Sequence, residues 1–267
     1  MLTISEFLDS TNKEFKKKIK IGIAQIFKRF KFLDTALKQS RGIGYSSSIE
    51  TEIKHLIGSH KDDFILFDVG ANIGSYSIMT AKLFPKSTIY SFEPSKATFH
   101  QLVQNVKSDI SIFPFRIGFG EEKKKTLLYS DQLESGMAST YKRQFANSNI
   151  KFSHTETIEI VKLDDWVKRY KVTPDFIKID VEGGELSVLK GAINALNRVK
   201  AVQFEFGGTA IDARIYFRDY WNFFTELNFK LYRYTPNGLL EIETYSEKEE
   251  IFEFMNYLAV PIKEFAP

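Results

Sequence analysis

A chain of 267 residues with 43% apolar content can fill one substantial core, which excludes a wholly disordered protein. The absence of cysteine excludes disulfides, thiolate nucleophiles and zinc–thiolate centres, so any site must be built from oxygen and nitrogen groups. The net charge of +3 is unevenly spread: between Lys13 and Arg41 ten Lys or Arg face two acids, Glu14 and Asp34, so that segment carries +8 and the remainder −5. That distribution argues against a nucleic-acid partner, which needs positive charge near the reacting centre.

The N-terminus "MLTISEFLDSTNKEF" lacks the apolar stretch of a secretory signal, and no segment approaches the roughly eighteen apolar residues of a membrane span, so a cytoplasmic soluble protein is expected. Phe15, Ile19, Ile23, Ile26, Phe30, Leu33 and Leu37 recur at intervals of three and four, one apolar stripe on a basic helix. Such a helix packs on the body of the protein or on a second subunit, or rests on an anionic membrane at its inner face. The turn-rich "SRGIGYSSS", Ser40 to Ser48, separates this extension, 1–48, from a main domain over 49–267.

From Phe64 onward short apolar runs alternate with helical periodicity. "FILFDV" has no polar interruption before its aspartate, as in a strand buried on both faces of a parallel sheet. Ser75 to Leu83 is predicted helical, "TIYSFE" a second strand, Lys96 to Val106 a helix and "ISIFPFRI" a third strand, a βαβαβ unit with right-handed crossovers. A charged turn, "GFGEEKKK", leads into a further strand. Ser130 to Thr157 is polar and poorly periodic and reads as an insertion on the substrate side. "ETIEIVKLDDWVKRY" is a strand entering a helix at Asp164, "DFIKID" a buried strand, Glu185 to Leu196 a helix and "AVQFEF" the next strand. "YFRDYWNFFTEL", "FKLYRY" and "FEFMNYLAV" close the chain as a helix and two strands.

In an open parallel sheet ligands lie beyond the carboxyl ends of the strands, where the strand order reverses. The carboxylates that end these strands, Asp68, Glu93, Asp180 and Glu205, are therefore expected to share one crevice. The loop "DVGANIG" places Gly70 and Gly74 where a tight turn and close ligand approach favour a residue without Cβ. Glu93, nineteen residues after Gly74, suits the hydroxyls of a ribose. A dinucleotide loop would read G-x-G-x-x-G and a Walker loop would carry a lysine. Here Asn72 stands at the middle glycine, and Asp68 would repel a phosphate while attracting an ammonium. The implied ligand is an adenosine with a zwitterionic tail, which describes S-adenosylmethionine.

Through "FDVGANIGSYS", "FEPS", "VKLDDW", "FIKIDVEGGELSVLKGA" and the following "FEF" strand, over roughly residues 60 to 235, the chain resembles the FkbM family of S-adenosylmethionine-dependent methyltransferases. The resemblance implies an α/β, class I methyltransferase, Rossmann-like fold: a doubly wound, seven-stranded mixed sheet whose last hairpin supplies the antiparallel strand. It implies a cofactor site from Asp68, Gly70, Ala71, Asn72, Gly74, Ser75 and Tyr76, with Glu93, Pro94 and Ser95 at the ribose and adenine, and S-adenosylhomocysteine as product. Asp180 is added to this set, its plainer reading being a cap or a ligand of the cofactor's amine. Lys178 is expected to tie down neighbouring carboxylates.

Methyl transfer from a sulfonium is an in-line displacement, so holding the acceptor about 3 Å from the methyl carbon and excluding water is much of the catalysis. A hydroxyl acceptor also gains from a base, for which Asp180 and Glu182 are the candidates. Asp180, Glu182 and Glu205 could instead hold Mg²⁺, a less favoured use of the cluster. His154 is the one histidine near the substrate side, and a solvated loop position is its plainer reading. The aromatic run Tyr216 to Phe224 reads as core at helical spacing. "SGMASTYKR", Ser135 to Arg143, resembles a small-residue stretch of the family, which implies a loop closing over the cofactor, with Arg143 toward an anionic acceptor. The expected reaction is O-methylation of a sugar in a surface glycan, or of a secondary metabolite. N-methylation, a nicotinamide-dependent oxidoreductase and a non-catalytic interaction module remain the alternatives.

Overall fold

The computed structural model describes residues 35–262 apart from 39, 61–62, 134 and 144–149. The basic helix expected at the N-terminus therefore lies outside the described residues except for its last turn, where Leu37 is solvent-exposed. No described helix is long and apolar enough to cross a membrane.

The elements follow one another as α1 (Ile49–Ile57), β1 (Ile65–Val69), α2 (Ser75–Leu83), β2 (Thr88–Phe92), α3 (Lys96–Val106) and β3 (Ile112–Phe115). Next come the short β4 (Gly118–Phe119), β5 (Lys124–Ser130), β6 (His154–Val161), α4 (Leu163–Tyr170) and β7 (Phe176–Ile179). The chain continues through α5 (Glu185–Lys190), α6 (Ile193–Leu196), β8 (Ala201–Phe206), α7 (Thr209–Ala213), α8 (Phe217–Glu226), β9 (Phe229–Thr235), β10 (Gly238–Ile242) and β11 (Met255–Pro261). One sheet holds eight strands in the order β10-β9-β11-β8-β7-β1-β2-β3, and a second holds β4-β6-β5.

Strands β3, β2, β1, β7 and β8 run parallel, while β11 enters antiparallel between β8 and β9. The sheet exceeds the expected seven strands by β10, which folds back on β9 across Pro236 and Asn237. Its sequence, "GLLEI", is largely exposed and too short to announce itself by periodicity. Buried side chains fall on both faces. Phe67 and Val69 of β1 pack with Phe92, Trp166 and Phe204, whereas Leu66 packs with Ile53, Leu102 and Tyr234. This alternation is what a strand with side-chain period two requires when helices cover both faces.

Local chemistry sets several boundaries. Ser48 caps α1 by accepting a hydrogen bond from the Thr51 amide, with Glu50 and Glu52 in the first turn. The expected helix from Glu185 to Leu196 is broken in two at Gly191, where a Cβ would overlap the carbonyl of Gly120 in the neighbouring segment. Asp164 at the start of α4 accepts from the Asn194 and Ala195 amides and so caps α6 from across the chain. Within Tyr216 to Phe224, the side chains of Phe217, Tyr220 and Phe224 are buried core, with Tyr220 stacked on Phe204.

Candidate active site

The strand order reverses between β1 and β7, and the register across that boundary sets Asp68 directly beside Lys178. Asp68 is fully buried; it accepts from Ser77 Oγ at 2.6 Å and pairs with Lys178 Nζ at 3.3 Å. Lys178 also donates to the Gly70 carbonyl at 3.1 Å and pairs with Asp180 at 3.4 Å. Burial opposes its charge, but Asp180 and Asp68 outweigh it and hold the ammonium above its ordinary value. The sequence expectation set Asp68 against an ammonium of the ligand. The ammonium it meets is this chain's own, and Asp68 lines neither of the two cavities described below. Its place is beneath the loop, fixing the lysine that in turn fixes Gly70.

Gly70 lies at φ 77°, and a Cβ there would overlap the carbonyl of Asp180, so the loop can lie against the end of β7 only without a side chain. The amides of Gly70 and Ala71 donate to Phe92 O. The Asn72 amide donates to Glu93 Oε2 at 3.1 Å and the Ser95 amide to Oε1 at 2.9 Å, so one carboxylate joins the first loop to the second. Burial pushes the Glu93 carboxyl up to about 7 against the pull of those two amides. Asn72 Oδ1 is buried with no hydrogen-bond partner among the described residues, which marks an acceptor awaiting a donor. Gly74 and Ser95 start helices α2 and α3 and line neither cavity; Ser75 and Tyr76 line the second, the Tyr76 hydroxyl donating to Gln203 at 2.8 Å.

A cavity of about 310 Å³ opens above Glu93. Phe92, Phe119, Leu128 and Ile160 give it apolar walls, while Asn72, Glu93, Asp180 and Glu182 give it acceptors. The small second sheet roofs it: Leu128, Ile158 and Ile160 form their own apolar cluster with Ala138. Sequence reasoning missed these roof residues, although the alternation in "HTETIEIV" carried the signal. Within Ser130 to Thr157, the last four residues already belong to β6, and Ser135, Gly136, Ala138, Thr140 and Tyr141 line the cavity. His154 is exposed at the start of β6 and lines neither cavity.

Glu182 sits at φ 56°, an unusual backbone for a residue with a side chain. The turn is held by Glu185, which accepts from the Val181 and Gly183 amides, and by Ser139 Oγ, which donates to Glu182 O at 2.6 Å. Arg143 Nη1 donates to Glu182 Oε2 at 3.2 Å, with Asp212 at 3.9 Å from Nε; the guanidinium expected to meet an acceptor is engaged by two carboxylates of this chain. Burial, then the nearby Asp180, push Glu182 up to about 8 despite Arg143. Glu205 is raised well above the usual carboxylate range by burial and by Asp180, Glu182 and Glu185. Oxygens of Asp180, Glu182 and Glu205 lie within 4.8 Å of one another. Such a set can share a proton, and its all-oxygen donors also suit a hard cation such as Mg²⁺.

The methyltransferase FkbM domain profile matches residues 68–231, more than half of the chain. The hexuronic acid methyltransferase AglP of Haloferax volcanii is 32% identical over 158 residues, 57% of this chain and 60% of that protein. The 2-O-methyltransferase NoeI of Sinorhizobium fredii is 24% identical over 163 residues, 55% of this chain and 64% of that protein. The chain thus spans less than two thirds of each of these relatives. Among solved structures, the methyltransferase FkbM from Methylobacillus flagellatus KT superposes with a TM-score of 0.50 at 18% identity, over 80% of this chain and 48% of that one.

Proposed function

Because this chain belongs to the methyltransferase FkbM domain family, we propose that it transfers a methyl group from S-adenosylmethionine to a hydroxyl of a sugar. The observation that carries this reading is that Glu93 opens into the same cavity as Asp180 and Glu182. The residues present fit the cofactor. Glu93 offers a carboxylate to a ribose diol, the apolar walls accept a purine, and the orphaned Asn72 Oδ1 can take a donor. When bound, S-adenosylmethionine supplies a methyl group on a positively charged sulfur.

What remains is for the chain to position an acceptor, exclude water and receive a proton. Two of these tasks fall to groups on the first and fourth parallel strand ends. Lys178, anchored on Asp68, Gly70 and Asp180, fixes the two loops relative to each other, so that the groups they carry are held in place before the reactants arrive. Glu182 or Asp180 accepts the hydroxyl proton as the new carbon–oxygen bond forms, a contribution of about a hundredfold or more. The hexuronic acid and 2-O specificities in the names of two relatives favour a sugar hydroxyl over other acceptors.

The test is incubation with methyl-labelled S-adenosylmethionine and a panel of hexuronic acid glycosides, neutral glycosides and amino sugars. Label recovered as a sugar O-methyl ether is the expected result. Label only on nitrogen would move the reaction to amines, and no label on any acceptor would return the fold to an interaction role. Transfer that survives EDTA assigns the carboxylate cluster to the proton; transfer lost on chelation and restored by Mg²⁺ assigns it to a cation.

A further inference from the structure

A second cavity, of about 280 Å³, lies against helix α1 and meets the first at Gly70, Asn72 and Asp180. Its chemistry differs from that of the first. The floor is polar and internally braced: Glu52 accepts from Ser47 Oγ, Gln203 Nε2 and Asn256 Nδ2, each at 2.9 Å. The edge is apolar, carrying Ile49, Ile73 and Phe254, exposed by 36%, 37% and 42%. Hydrogen bonds among Glu52, Gln203 and Asn256 alone would be explained by docking α1 on the sheet. They do not explain why open space is kept above them, or why three hydrophobic side chains stay in solvent around it.

An object that matches a polar floor and an apolar edge has one face of C–H groups and a rim of hydroxyls, which describes a pyranose ring. We infer that the second cavity is the acceptor subsite, holding a pyranose with its hydroxyls toward Ser46, Ser47 and Asn256 and its C–H face on Phe254, which moves Ala71, Ser75 and Tyr76 from the expected cofactor set to the acceptor's side. Asp180, common to both cavities, then stands where the two reactants meet. The hydroxyl oxygen gives a lone pair to the methyl carbon, the carbon–sulfur bond breaks with its pair passing to sulfur, and the hydroxyl proton goes to a carboxylate at this junction. This assignment rests on the methyl-transfer reading and adds the acceptor's place and its ring form to it.

The test uses the full chain loaded with S-adenosylhomocysteine and two probes, methyl β-D-glucopyranoside and methyl β-D-glucuronide, followed by saturation-transfer NMR. Calorimetry of S-adenosylhomocysteine runs in parallel on the intact protein, Phe254→Ala and Ser46→Trp, which alter the exposed edge and not the core. The intact protein is expected to bind at least one pyranoside. Both variants should weaken that binding by about tenfold while cofactor affinity stays within about twofold. Unchanged pyranoside binding in both variants, a parallel loss of cofactor affinity, or no pyranoside binding by a protein that does bind the cofactor would each overturn the subsite. Failure of the intact protein to bind S-adenosylhomocysteine is a separate outcome: it removes the methyl-transfer reading, and the subsite with it.

Discussion

Glu182 is one of the two carboxylates to which the proposed reaction can pass its proton. It occupies a left-handed backbone, is pinned through Ser139 and Glu185, and carries its carboxyl at about 8 because burial and Asp180 together outweigh Arg143. A base works only when deprotonated, so if Glu182 receives the proton, kcat/KM, which reports the free enzyme, must rise with pH and level off above about 8. Glu182→Gln should lower it by about a hundredfold or more and abolish that rise. A variant that kept both the rate and the rise would show that another group receives the proton. Asp180 and Glu182 could be named as candidate bases from the sequence because they follow the buried run "DFIKI" at the carboxyl edge of a parallel sheet, where ligands lie. The partner of Asp68 was not, because Lys178 becomes its neighbour only through the pairing of β1 with β7.

At the scale of elements, helix α1 is held to the sheet by a polar contact and not only by Ile53, Leu56 and Ile57. Three donors converge on the Glu52 carboxylate, whose burial raises its pKa against the pull of Ser47 and Gln203. Glu52→Gln would turn an amide N–H₂ toward at least one of those donors, and leaving a buried group unsatisfied costs about 1–3 kcal/mol. Urea unfolding should therefore show a lower midpoint at unchanged slope. An unchanged midpoint would mean that the network does not anchor α1. Elements with strong periodicity or unbroken apolar runs, such as β1, β7, β8 and α3, were readable from sequence. Strand β10 and the break at Gly191 were not: the first is short and exposed, and the second follows from the close approach of Gly120, a contact distant in sequence.

For the whole molecule, the doubly wound order brings four strand ends to one edge, and the reversal between β1 and β7 opens the crevice there. Parallel strands with crossover helices were deducible from the alternation of buried runs and helical periods. The departure of the chain into the β4-β6-β5 sheet was not, since those strands are half-polar and meet only after folding. That sheet completes the cavity over Glu93, so the site depends on the entire fold and not on the motif loops alone. The central claim is that this cavity binds S-adenosylmethionine with Glu93 as a ligand. Calorimetry of S-adenosylmethionine against the intact protein and Glu93→Ala tests it directly. The account predicts micromolar binding that weakens by about a hundredfold or more in the variant, roughly 2.7 kcal/mol. Equal affinity in the two proteins, or no binding to the intact one, would contradict it.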